Sequence, residues 1–244
     1  MSSKIILDFD GVVCDGTEEC ALITWLGVHP PSPRTPISSH LIAIPRGFLE
    51  RFRKIRAYSR VLDHFIVAHR PIAAHIQTRS RFDTVFRCIA ADYVRDFVKT
   101  ATAARTRCRN EEASFWLDLH TLYPGIAELL QDRSGDVIVV TAKDEDSVRT
   151  ILNRHGIEHT VAEVIGECSQ KDQAVRELCA RHGISPNTVT FVDDNLTNVL
   201  RVATTGANTY WAMWGFHTAE DLAEAERVAV ARLRLDDLPT LAAA

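Results

Sequence analysis

With 244 residues, 46% of them hydrophobic and 25% charged, the chain has the composition of a globular protein and the length of one large domain, or of a core with a smaller insert. No apolar run approaches the roughly 18 residues that span a bilayer, and the N-terminus lacks the basic-then-apolar pattern of a secretory signal, so a cytoplasmic protein with no membrane partner is expected. The formal net charge of −4 hides an asymmetry: residues 16–120 carry 16 Lys and Arg against 10 Asp and Glu, and the remainder 12 against 22.

Ile5–Phe9 is the first strand signal, an apolar run that ends in Asp8-Phe9-Asp10-Gly11. Further strands are predicted at Asp136–Thr141, Val161–Ile165, Thr188–Asp194 and Asn208–Met213. Their apolar runs are nearly continuous rather than alternating, which argues for strands covered on both faces. Between them lie helical patterns at Pro124–Leu130, Glu145–His155, Gln170–His182 and Leu196–Ala203, with Gly156 and Gly183 where helices should stop. Strand-helix-strand repetition predicts an α/β fold with a doubly wound parallel sheet.

Residues 15 to about 122 break that rhythm. Phe82, Val85, Phe86, Ile89, Tyr93 and Phe97 recur at three- and four-residue spacing, as one face of a helix would. Phe48, Leu49, Phe52 and Ile55, then Val61, Leu62, Phe65 and Ile66, repeat the pattern, and Phe115, Trp116 and Leu119 make a shorter stripe. These stripes read as core seams. The proline-rich run His29–Pro36 is a loop and Arg70-Pro71 another break. An all-helical insert, residues 15–122, is therefore expected to interrupt an α/β core made of residues 1–14 and 123–244.

The six cysteines show neither a CxxC pair nor paired metal spacing and read as reduced thiols. The basic excess of the insert suits solvated helices; it also suits an anionic substrate drawn toward an acidic core. Its basic residues are not interleaved with a stacking or groove-reading motif, so nucleic acid is not expected as a partner. The sequence leaves monomer and homodimer open.

In open α/β sheets, ligands bind at the carboxyl ends of the strands. Asp8 and Asp10 follow the first predicted strand, Thr141 ends the second, and Asp193 and Asp194 end the fourth. Lys171 opens the helix after the third. Carboxylates gathered at one sheet edge repel one another, and a divalent cation is the remedy. Oxygen-only ligation favours Mg²⁺, and the set lacks the His and Cys expected for zinc. Plainer readings stand beside these. Thr141 also suits a strand-end cap, Asp193-Asp194-Asn195 an Asx turn, and Lys143 rivals Lys171 as the phosphate-binding lysine.

This layout resembles the haloacid dehalogenase-like (HAD) hydrolase superfamily over most of the chain. Asp8-Phe9-Asp10-Gly11-Val12 is similar to its first motif in the Asp-x-Asp form of its phosphatases, Val140-Thr141 to its second, Lys171 to its third, and Val192-Asp193-Asp194-Asn195 to its fourth. The helical insert resembles the C1-type cap domain of that superfamily on its Rossmann-like core. The resemblance implies a Mg²⁺-dependent phosphatase acting on a small phosphorylated metabolite. Asp8 is then the nucleophile that becomes an aspartyl-phosphate, and Asp10 the general acid and base. Thr141 and Lys171 hold the phosphoryl oxygens, Lys171 also keeping Asp8 ionised, and the metal is held by Asp8, the Asp10 carbonyl, and Asp193 or Asp194. A phosphomutase or phosphotransferase on the same fold, and a non-catalytic binding module, are the alternatives.

Overall fold

A computed structural model describes residues 3–243. The chain opens with strands β1 (Lys4–Leu7) and β2 (Cys14–Asp15). The α-helices α1 (Thr17–Val28), α2 (Arg46–Arg56), α3 (Arg79–Arg87), α4 (Ala91–Glu111) and α5 (Ala113–Asp118) follow, separated by loops and 3₁₀ turns. Next come β3 (Thr121–Leu122), α6 (Ile126–Asp132), β4 (Val137–Val140), α7 (Glu145–Arg154), β5 (Val161–Ile165) and α8 (Lys171–His182). The chain continues with β6 (Val189–Asp193), α9 (Leu196–Ala203), β7 (Asn208–Ala212), α10 (Ala219–Arg227), β8 (Arg232–Leu233) and α11 (Leu238–Ala243). It divides into two compact units: Gly16–His120 with Thr218–Glu220, and the remainder.

The larger unit is built on one parallel sheet in the order β5-β4-β1-β6-β7-β8. β1 lies between β4 and β6, and both faces of these strands are buried, which is why their sequences run apolar without alternation. Ile6, Ile138, Val140 and Phe191 pack against Ala174, Val175, Leu178 and Cys179 of α8 together with Val202 of α9, and Trp211 packs with Leu196 and Val199 of α9 in an adjoining cluster. From β1 the chain winds outward through β4 to β5, then returns to the other side of β1 for β6, β7 and β8. The winding direction reverses beside β1, where open α/β sheets leave a crevice. Register sets which residues meet there: Leu7 pairs with Val139 on one side and Val192 on the other. The residue after Leu7 is therefore level with Val140 and Asp193.

Two further strands pair outside this sheet. β2 and β3 form an antiparallel ribbon, Cys14 opposite Leu122 and Asp15 opposite Thr121, which ties residues 14–15 and 121–122 to the α/β unit. At two residues each, these strands and β8 carry no periodicity to read. Arg133 is a buried anchor in the same unit; its guanidinium donates to the carbonyls of Leu241 and Ser3.

The helical unit is organised around α1, which is apolar on nearly all sides and buried accordingly. Helix α4 presents Phe97, Ala101, Ala104 and Cys108 inward at three- and four-residue spacing. Gly27 lets the two helices close up, since a Cβ there would overlap the Phe97 ring. The stripe expected as one helix from Phe82 to Phe97 is divided. α3 ends at Arg87, Cys88 to Ala90 break the helix, and α4 starts at Ala91. Tyr93 consequently leaves the seam and is exposed. The Val61–Ile66 stripe forms a 3₁₀ segment, Leu62–His69, rather than an α-helix. Among the described residues no helix is long and apolar enough to cross a membrane.

Candidate active site

Asp8, Asp10, Thr141, Lys171, Asp193 and Asp194 all belong to the α/β unit, and the sheet brings residues more than 180 positions apart into one cluster. Its centre is the Lys171 ammonium, which donates to Asp8 Oδ1 at 2.7 Å and to Asp193 Oδ2 at 2.8 Å. Lys171 reaches this position because it is the first residue of α8, a short loop beyond the end of β5. Its side chain is 5% exposed. Burial alone would lower its pKa; Asp193 and Asp8 outweigh that and hold it above the ordinary lysine value.

Asp8 directly follows β1, with its backbone N–H on the Val192 carbonyl and its Oδ1 accepting from Phe9 N–H at 2.7 Å. Its carboxyl is raised from the ordinary 3.8 to about 6, and burial is the main cause. Lys171 pulls the other way, while the Asp193 charge adds to the rise. Lys171 thus favours the Asp8 carboxylate, in the direction expected from the sequence, but desolvation of Asp8 outweighs it.

Asp193 is fully buried and closely bonded. Its Oδ1 accepts from Asn195 N–H at 2.7 Å, and its Oδ2 accepts from Asn198 Nδ2 at 3.0 Å as well as from Lys171. The Asx-turn geometry weighed from the sequence is thus present, and it fixes the same carboxylate that meets Lys171. Asn195 in turn caps α9 through its side chain on Thr197 N–H.

Asp194 is held by a loop that the sequence expectations do not include. Trp211 Nε1 donates to its carbonyl and Phe216 N–H to its Oδ2, both at 2.7 Å. Gly11 and Gly215 close around it: a Cβ on either glycine would overlap Asp194 atoms, and Gly11 adopts φ +91°, a conformation that costs other residues strain. Trp214 Nε1 donates to the Val12 carbonyl from the same loop. A tryptophan-glycine-aromatic run after a strand was the available signal.

Thr141, buried at the end of β4, accepts from Lys143 N–H at 3.2 Å through Oγ1. The cap reading and the functional one coexist, because an accepting hydroxyl keeps its own proton to donate. Asp10 stands apart from the three-carboxylate group. Its two oxygens face Lys143 Nζ at 3.2 and 3.3 Å.

Asp8, Asp193 and Asp194 each offer an oxygen within 4.8 Å of the other two. Three carboxylates face one ammonium there, and every donor is oxygen. That set fits a hard divalent cation of the Mg²⁺ kind; no imidazole or thiolate joins it. All six cysteines are free thiols.

A family model described as haloacid dehalogenase-like hydrolase matches residues 5–200. Two curated relatives named phosphoglycolate phosphatase are each 28% identical. The one from Pasteurella multocida aligns over 119 residues, 45% of this chain and 52% of its own length; the one from Vibrio cholerae aligns over 131 residues, 50% and 56%. The chain thus spans about half the length of the curated relatives it matches. A solved structure of a predicted phosphoglycolate phosphatase from Haemophilus somnus superposes with a TM-score of 0.68 at 17% identity, covering 98% of this chain and 97% of that one, a likeness of fold.

Proposed function

The chain belongs to the haloacid dehalogenase-like hydrolases, and from that premise we propose that it is a Mg²⁺-dependent phosphatase of a small phosphorylated metabolite. The Lys171 ammonium bridging Asp8 and Asp193, with Asp194 alongside, is the observation that carries this reading. An otherwise neutral core has no use for three converging carboxylates. A cation-assisted transfer of an anionic group has several.

In this reading Asp8 attacks phosphorus, its Oδ forms the new P–O bond, and the ester oxygen departs with the bonding pair. Asp10 gives that oxygen its proton. It then takes a proton from the water that attacks the aspartyl-phosphate, releasing phosphate and restoring Asp8. Thr141 donates its hydroxyl proton to a phosphoryl oxygen. Lys171 offsets charge on Asp8 and on the phosphoryl group, which itself brings about two negative charges. Asp8, the Asp10 carbonyl, and Asp193 or Asp194 would hold Mg²⁺, which when bound would screen charge and align the phosphate. Residues 15–122 are proposed as the substrate-selecting cap, and their basic balance suits an anionic ester.

The names of the curated relatives put phosphoglycolate first on the substrate panel. The test is phosphate release from phosphoglycolate and a range of small phosphate monoesters, with and without Mg²⁺. Wild-type protein should turn over at least one ester only when the metal is supplied, and Asp8→Asn should lower the rate by about 10³-fold or more. Phosphate release that survives Asp8→Asn would overturn the reading, as would silence across the panel.

A further inference from the structure

Asp10 makes two proton transfers in the proposed mechanism, and each needs its carboxyl aimed at the reacting oxygen. We propose that Lys143 is the positioning residue for Asp10, a role distinct from that of Lys171 at the nucleophile; this rests on the phosphatase reading. The lysine is delivered by a loop with little freedom. Its N–H is bound to Thr141 Oγ1, and its carbonyl accepts from Glu167 N–H at 3.0 Å. Cys168 N–H bonds the Thr141 carbonyl at 2.9 Å, so the turn after β4 is fastened at two points to the turn after β5. Gly166 makes that fastening possible, since a Cβ there would overlap Glu145 N and press on the Lys143 carbonyl. Asp144 caps α7 by accepting from Ser147 N–H at 2.9 Å, which fixes the loop on its other side.

From this base Lys143 extends with a side chain only 10% exposed, and its Nζ meets both oxygens of Asp10, which is 25% exposed. A half-open carboxylate without such a partner would sample several χ1 and χ2 wells. The forked contact selects one of them. It does not seal Asp10, because an ammonium in a fork leaves a lone pair on each oxygen, able to carry the proton given to a leaving group or to accept one from a water. The two lysines therefore divide the site. Lys171 is shared by Asp8 and Asp193 in a buried cluster, and Lys143 serves Asp10 at the more open edge.

Leaving-group chemistry separates positioning of a general acid from other roles. An alkyl phosphate must be protonated as it departs, whereas p-nitrophenolate leaves as a stable anion. The experiment measures kcat and KM with Mg²⁺ for an alkyl phosphate and for p-nitrophenyl phosphate, using wild type, Lys143→Met, Lys143→Gln and Lys143→Arg, with melting temperatures for each. Both neutral variants should lose about 50-fold in kcat/KM on the alkyl ester and less than about fivefold on the aryl ester, with KM changed less than about twofold. Lys143→Arg, which keeps a cationic donor, should recover most of the alkyl activity. Equal losses on the two esters would overturn the proposal, as would a rise in KM with kcat unchanged, which would make Lys143 a substrate anchor. Loss confined to a variant that fails to fold is resolved by the second neutral variant. Wild type silent on both esters sinks the phosphatase reading and this inference together; an active wild type with equal losses sinks only the inference.

Discussion

Each unit buries an ion pair, and the two pairs are built to opposite ends. In the helical unit Glu19 of α1, 1% exposed, is gripped by Arg105 of α4: Nε reaches Oε1 at 2.6 Å and Nη2 reaches Oε2 at 3.1 Å. One carboxylate meets one guanidinium in a bidentate fork, and Arg105 keeps contact with water at 29% exposure. In the α/β unit one ammonium serves two carboxylates with a third nearby, and burial, helped by the Asp193 charge, pushes Asp8 toward the neutral form. In the proposed reading the helical pair is structural, and the acidic cluster is kept for the charged group it would bind, at a cost in stability.

Breaking the pairs should expose that difference. Replacing the shared cation has the largest expected effect. Lys171→Met should lower phosphatase kcat by about 10²–10³-fold, because an oriented charge at the reacting group is lost. In metal-free protein it should also destabilise by about 3–5 kcal/mol, since Asp8 and Asp193 are left without a counter-charge. Activity within tenfold of wild type would remove Lys171 from the site. Glu19→Ala should act on stability alone, costing about 2–3 kcal/mol by removing the forked pair with Arg105, a figure discounted for the access of Arg105 to water. Urea unfolding checks the loss, and kcat measured well below the transition should stay within about twofold of wild type.

The smallest effects are those of pH, and here the two units should diverge in sign. Folded Asp8 keeps its proton up to about pH 6, against 3.8 ordinarily. The folded state binds more protons in that window, so this group's contribution to stability falls as pH rises through it. Asp8→Asn should therefore stabilise the metal-free protein at pH 7 by about 1–3 kcal/mol, with the gain shrinking to nothing as pH falls below 4. His69 of the helical unit behaves the other way. Burial among Phe48, Trp25 and Phe97 depresses its pKa from 6.5 to about 4, although its Nε2 lies 2.8 Å from the Thr24 carbonyl. Its contribution is complete above pH 6.5 and is lost as pH falls toward 4. His69→Phe should flatten that acid limb by about 1–2 kcal/mol. Thermal unfolding between pH 4 and 7.5 reads both, and equal slopes in the two variants would refute the contrast.

The pattern of the core was legible because both-face burial of a parallel strand leaves an unbroken apolar run. Val137–Val140 and Val189–Asp193 lie inside the predicted segments, and the α8 and α9 helices end within a residue of expectation. The division of the Phe82–Phe97 stripe was not legible, because a periodicity of three and four continues across a short break as readily as through a helix. The Trp214-Gly215-Phe216 loop was missed for a different reason. None of its residues is charged or titratable, and its contribution to Asp194 is made by a backbone N–H and by the room that Gly215 leaves.

By itself the sequence determined which residues sit at strand and helix ends, because hydrophobic runs end where polar side chains begin. It also determined the sheet class and the oxygen-only character of the acidic set. Only the tertiary structure decided how those residues are shared: that Lys171 joins Asp8 to Asp193, that Lys143 faces Asp10, and that burial outweighs an adjacent ammonium in setting the Asp8 carboxyl. Partner choice and desolvation depend on distances between segments far apart along the chain, and linear order carries no measure of those distances.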